Sequence, residues 1–262
     1  MGLKRATLMS MLFLLVLAPN FALAQKDRPL FLDRRPGEDP SVIDITEVTD
    51  QYPKAAVDEY LKGIEQGRKG NRVAARERLE AAIRIEPDFF NAHNSLAVLF
   101  HTLGQYSDAE HEYEEAARIN PRSLAPQVNL ASLHIEEAIT KQEQQDNKAA
   151  RTLLNDALAS LNKAFEVQPG APLAHYLTGI IYFMTGFYEE SESHFKDALA
   201  KGGSTMIASR LALAEIYIKL KEWDSVVLQL DQYLQELPYS PNRVRIRSVR
   251  NAAAERLVAP SQ

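Results

Sequence analysis

From about residue 55 almost to the end of the chain, apolar residues recur at the three- and four-residue spacing of amphipathic helices, among Ala, Leu, Glu, Lys and Arg. The helical stretches are cut at Gly70-Asn71, Pro87, Gly104, Pro121, Pro169-Gly170, Gly186, Gly202-Gly203 and Pro238. The cuts are themselves periodic. Pro87 and Pro121 stand 34 residues apart, as do Gly70 and Gly104. A fixed period of that length holds two helices and their turns, so the pattern predicts an all-α array of stacked helical hairpins, about five of them over residues 55–240.

Residue types repeat along with the breaks. Leu96-Ala97, Phe100, Gly104-Gln105-Tyr106, Ala109, Tyr113, Ala116 and Pro121 resemble the tetratricopeptide repeat consensus. Gly179, Tyr182, Gly186, Tyr188, Phe195 and Ala198 keep the same spacing, as do Leu213-Ala214, Tyr217, Trp223, Leu230 and Pro238. A looser copy holds Gly63, Gly70, Ala75, Leu79, Ala82 and Pro87. Small residues (Ala97, Gly179 and Ala214 on first helices, Ala82, Ala116 and Ala198 on second ones) let helices approach, and aromatic residues, Trp223 among them, are expected to fill the wedges left between them. The resemblance implies a right-handed superhelical solenoid of helix-turn-helix repeats.

The third unit departs from the period. Pro121 and Pro169 are 48 residues apart, 14 more than a standard unit allows, with the polar run 142–147 in the middle. Apolar spacing continues on both sides of that run, which favours two lengthened helices over a polar loop and gives an extended repeat at 124–171. Ala138 and Ile139 would pair with Ala149, Leu153 and Leu154. After Pro238, residues 241–258 predict a capping helix, with Val244, Val249, Ala253 and Leu257 inward and Arg243, Arg247, Arg250 and Arg256 on a solvated face.

The start of the chain has a different composition. Lys4 and Arg5 precede a mostly apolar stretch from Thr7 to Ala18, and Pro19-Asn20 leads to Ala22-Leu23-Ala24. This order predicts a secretory signal over 1–24, cleaved after Ala24, and a periplasmic or secreted protein without stable membrane insertion; the apolar stretch is shorter than the roughly 20 residues of a spanning helix. Residues 25–54 mix Pro29, Pro36, Gly37 and Pro40 with many charges and read as a flexible tail. Its apolar clusters, Leu30-Phe31-Leu32 and Val42-Ile43, are candidates to dock on the array.

Net charge and residue content narrow the function classes. The formal net charge is −5, and −7 once Lys4 and Arg5 leave with the signal, which argues against nucleic acid as a partner. With no cysteine there is no disulfide, thiol nucleophile or cysteine-bound zinc. His93 and His175 occupy one slot near the start of first helices, where packing explains them; His101 and His134 lie on first helices too, while His111 and His194 are expected to face outward on second helices. Glu110, Glu112, Glu114 and Glu115 read as a solvated face. No metal set, catalytic constellation or cofactor motif stands out, so the expectation is a non-enzymatic protein with no cofactor, acting through a surface.

The resemblance implies where that surface is. In the family the first helix of each repeat lines a concave groove that holds a peptide or partner segment. Carried over by register, the groove slots hold Tyr60 and Ile64, then Asn91, Asn94, Val98 and His101, then Val128, Ser132 and Ile135. The fourth unit supplies Tyr176, Ile180, Phe183 and Met184, and the fifth Leu211, Glu215 and Ile218. Burial between neighbouring hairpins is the competing reading for these slots. The Lys, Asn and Arg set with which chaperone-docking members clamp a terminal carboxylate is missing. A mainly apolar groove suits an amphipathic helix or an extended apolar segment, and the expected role is an adaptor for a protein or peptide partner. The alternative is a structural subunit of an envelope secretion, pilus or cell-wall assembly machine.

Overall fold

The same turn closes every hairpin of the array. In the computed structural model, which describes residues 51–239 and 243–258, a left-handed residue ends each first helix at Gly70, Gly104, Gln145, Gly186 or Lys221. The next residue then donates its N–H to the carbonyl five positions back: Asn71 to Gln66, Gln105 to Phe100, Asp146 to Lys141, Phe187 to Tyr182 and Glu222 to Tyr217, all at 2.9 or 3.0 Å. This is the double turn that satisfies a helix's last carbonyls and reverses the chain, and it requires the positive φ that glycine adopts freely. Gln145 and Lys221 take it up without being glycine, at φ 64° and 62°.

Among the described residues there are eleven α-helices. They are α1 (Lys54–Arg68), α2 (Arg72–Ile85), α3 (Phe90–Thr102), α4 (Tyr106–Ile119), α5 (Leu124–Glu143), α6 (Asn147–Val167), α7 (Pro172–Thr185), α8 (Tyr188–Gly202), α9 (Ala208–Leu220), α10 (Trp223–Glu236) and α11 (Arg243–Val258). A 3-10 turn, Gly203–Met206, leads into α9. The chain divides between Pro169 and Gly170 into two compact units, so that α1–α6 form three hairpins in one and α7–α11 form two hairpins and a last helix in the other. Within each unit every helix packs on its successor, and the first helices of adjacent hairpins, α3 with α5 and α7 with α9, also touch. The expected signal and the tail up to residue 50 lie outside the described residues.

The packing inside a hairpin follows one rule. A small buried residue on the first helix stands sixteen positions before a large buried one on the second: Gly63 and Leu79, Ala97 and Tyr113, Gly179 and Phe195, Ala214 and Leu230; at Gly63 and Gly179 an added Cβ would lie 2.9 Å from the partner side chain. In the third hairpin the matching pair is Ala131 and Leu161, fourteen positions further apart, so the insertion lengthens both helices and leaves both residues buried. The 20-residue α5 and 21-residue α6 bury Ala138, Ala150 and Leu154, and the Asp146 carboxylate caps α6 by accepting the Ala149 N–H at 3.0 Å. A polar loop between helices of ordinary length is thereby ruled out.

The last helix sits differently from expectation. Ile246 and Ala253 are its buried residues, whereas Val244 is 84% exposed and Leu257 is exposed too. The inward stripe is thus set by Ile246, Val249 and Ala253. Two of the arginines assigned to a solvated face hold the helix down. Arg250 grips the Asp231 carboxylate of α10 with two bonds of 2.9 Å, and the Arg256 guanidinium lies 4.5 Å over the Trp223 ring. Trp223 is half-buried; it is a platform for Arg256 more than a plug between helices.

Candidate functional site

Register assigns the slots of the first helices to a groove, and most of these slots are closed. Tyr60, Val98, Val128, Ile135, Tyr176, Ile180 and Leu211 are buried, as are the polar Asn94, His101 and Glu215. Ile64, Asn91, Ser132, Phe183, Met184 and Ile218 are partly exposed. The aromatic slots show why. The Tyr60 ring packs 5.1 Å from Phe89, at the start of the second hairpin, and Tyr176 meets Phe195 edge-on at 5.5 Å. Both are core residues, and burial pushes the Tyr176 hydroxyl far above the usual tyrosine range, with Tyr233 adding to the shift. Ile64 also leans on the first unit's core.

In the first unit, three histidines meet carboxylates from neighbouring helices. His93 on α3 contacts Glu112 on α4 at 2.6 Å through Nδ1 and the Pro87 carbonyl at 2.8 Å through Nε2. His101 on α3 contacts Glu136 on α5 at 2.9 Å, and His134 on α5 contacts Glu110 on α4 at 3.0 Å. The three rings are buried, so these are interhelical ties and not a solvent-facing lining. Burial alone would lower the basicity of His93, but the bonds to Glu112 and Pro87 outweigh it and leave its pKa raised. Glu110 and Glu112 therefore do more than solvate a helix face. Nothing in the spacing along the chain marks these pairs, which join residues 19 to 35 positions apart.

The second unit differs. His194 does not face outward: its Nδ1 lies 3.2 Å from that of His175, and its ring stacks on Tyr182. Burial, with His175 beside it, lowers its pKa. Asp197 comes within 3.7 Å of His175, but its other oxygen is held by Lys201 at 2.9 Å. Among the described residues no group of three or more His, Cys, Asp or Glu is placed to hold a metal ion.

Among the groove slots of this unit those left partly exposed are apolar, and one of the buried slots is acidic. Phe183 and Met184, at the end of α7, and Ile218, near the end of α9, are partly exposed on helices that pack side by side. One turn before Ile218 lies Glu215, in the slot that Ile64, Val98, Ser132 and Ile180 fill elsewhere. It is 2% exposed, and its Oε2 has no hydrogen-bond partner. Burial pushes its carboxyl up to about 7, and Lys219, one turn on, moderates the shift. Register places Glu215 in the groove, but its burial and its unpartnered oxygen come only from the fold.

The sequence matches the family model described as tetratricopeptide repeat over residues 60–123 and 135–205. The chain belongs to the tetratricopeptide repeat family. Solved structures agree with that fold. A thermophilic tetratricopeptide repeat protein of Thermus thermophilus, TTC0263, superposes with a TM-score of 0.58 at 22% identity, over 77% of this chain and all of that one. PilW, a type IV pilus biogenesis factor, gives a TM-score of 0.58 at 15% identity over 78% of this chain and 91% of its own. The pilF protein of Pseudomonas aeruginosa gives a TM-score of 0.57 at 20% identity over 79% of this chain and 94% of its own. The curated proteins contain no match to the sequence.

Tetratricopeptide repeats are protein-interaction modules, so the chain has a protein-interaction or scaffold role. Among the described residues no helix of this tetratricopeptide repeat protein is long and apolar enough to cross a membrane.

Proposed function

We propose that the chain is a non-enzymatic adaptor, periplasmic or secreted, that holds a protein or peptide segment against α7 and α9. The observation that carries this is the contrast between closed and open slots: the rings and branched chains of most first-helix slots are spent inside the array, while among the slots left partly open Phe183, Met184 and Ile218 are apolar and lie on two helices that pack side by side. Aromatic residues and methionine are the usual anchors of adaptable protein-binding surfaces. The acidic net charge disfavours nucleic acid. The order of Lys4-Arg5, the apolar stretch and Ala22-Leu23-Ala24 supports export with cleavage before Gln25.

The test is affinity capture from the native envelope with the wild-type chain and with Phe183→Ala combined with Met184→Ala. An adaptor loses its co-eluting partner in the double variant while keeping its helical circular dichroism. Full capture by the double variant would reject the groove. A second reading, a structural subunit of an envelope secretion, pilus or cell-wall machine, draws on the likeness in fold to PilW and pilF. A subunit packing through its outer surface would be captured equally well by both forms. Amino-terminal sequencing of exported material tests the location, with Gln25 expected first and an intact Met1 on membrane-retained material rejecting it.

A further inference from the structure

An ionisable side chain among uncharged groove slots demands a reason. Four of the five equivalent slots hold Ile64, Val98, Ser132 and Ile180, none of which carries a charge. The fifth holds Glu215, whose Oε2 is out of solvent and accepts no hydrogen bond. A carboxylate so placed is costly unless a proton or a cation neutralises it. Lys219 lies one turn further along the same helix, and it does not restore the carboxyl to its usual range. Leu211 is buried one turn before Glu215, and the partly exposed Ile218 follows, with Phe183 and Met184 on the adjacent helix. An apolar residue of similar size would suit these neighbours better unless the carboxylate met something else. Among the described residues no donor meets that oxygen from within the fold.

Resting on the reading of α7 and α9 as the groove, we propose that Glu215 selects the partner: the bound segment is apolar and carries one lysine or arginine whose cationic head pairs with the Glu215 carboxylate. Apolar side chains of the segment cover Phe183, Met184 and Ile218. The long stem of a lysine or arginine passes over apolar surface and delivers its charge at the end, so that once the side chains covering the closed-in Glu215 move aside the charge meets the carboxylate. Opposite charge at this position confers specificity more than area does, because a partner lacking the cation leaves the carboxylate buried and unpaired. Charge complementarity thus chooses among the amphipathic or extended segments that an apolar groove would otherwise take alike.

The test pans a random 12-residue peptide display library on the full-length exported chain, on Glu215→Gln and on Phe183→Ala, each first shown to melt cooperatively. On the wild type the enriched peptides are expected to share an apolar pattern with lysine or arginine at one fixed position. On Glu215→Gln the apolar pattern persists and the basic position falls to background. For a synthetic winner, binding measured by calorimetry weakens about tenfold on replacing that basic residue with norleucine, and this difference disappears in Glu215→Gln. Apolar peptides enriched on the wild type with no preference for a basic residue would overturn the role of Glu215 while leaving the groove standing. Enrichment that is the same on Phe183→Ala as on the wild type would instead overturn the groove, and the proposal with it.

Discussion

Gly179 on α7 faces Phe195 on α8 so closely that a Cβ added to the glycine would lie 2.9 Å from the ring. Phe195 is fully buried and is itself packed edge-on against Tyr176, so the ring has little room to move. Replacing Gly179 by leucine is expected to overpack the hairpin and cost about 1–3 kcal/mol. Alanine should cost less, since about 1 kcal/mol of helix propensity is regained. Gly170→Ala serves as the control, because a Cβ there would meet the flexible Lys201 side chain at an ordinary 3.7 Å. Urea denaturation midpoints measure all three, and a midpoint raised by Gly179→Leu would contradict the packing.

The docking of α11 depends on two polar ties to α10. Trp223→Ala removes the platform under Arg256 and is expected to cost about 1–2 kcal/mol, below the roughly 3–5 kcal/mol of a fully buried ring. Arg250→Ala breaks a half-exposed pair with Asp231 and should cost less, about 0.2–1 kcal/mol. Hydrogen exchange across 243–258 reads both, with faster exchange expected in that helix and unchanged exchange in α7. Protection in α11 that survived the loss of both partners would show that Ile246 and Ala253 suffice.

Two hairpin turns force a left-handed conformation on non-glycine residues. Gln145→Gly and Lys221→Gly should each stabilise the chain by about 1 kcal/mol, because the αL penalty of a side chain is removed. Asp146→Ala, next to the first of these, should cost about 1 kcal/mol through the lost cap on α6. Thermal melting separates the signs. A loss of stability in both glycine variants would mean that the side chains at these turns hold them more firmly than the backbone strain opposes them.

Glu215 gives a dependence on pH whose sign is determined by its raised pKa. The folded chain keeps the carboxyl protonated up to about 7, whereas the unfolded chain releases the proton near the ordinary value of 4.5. Between these values the folded state binds more protons, so its stability falls as pH rises and levels off above about 7. The full difference approaches about 3 kcal/mol at 1.36 kcal/mol per unit, less whatever the surroundings relax. Glu215→Gln should therefore be the more stable protein at pH 8 and match the wild type near pH 4. Denaturation at pH 4, 6 and 8 decides; parallel profiles for the two proteins would show a carboxyl that titrates normally.

The chain by itself determined the hairpins, their number and the lengthening of the third. These features rest on contacts between residues close in sequence. A glycine or a polar turn residue reverses the chain, and a small buried residue is followed by a large buried one sixteen positions on, so the pattern repeats wherever the residues do. The insertion was legible for the same reason: Ala131 and Leu161 keep the slot that Ala97 and Tyr113 occupy, with fourteen more residues between them.

Only the tertiary structure decided which side chains line a surface. Tyr60 and Tyr176 occupy equivalent slots that register assigns to a groove, yet Phe89 and Phe195 take their rings into the core. The same holds for charge. His101 reaches Glu136 across two first helices, Arg250 reaches Asp231, and the Glu215 Oε2 meets no donor, though all three residues sit on helices the pattern predicted. Helix periodicity specifies the direction in which a side chain leaves its own helix. Whether another helix's side chain fills the space in front of it depends on distances between elements, which that periodicity does not carry.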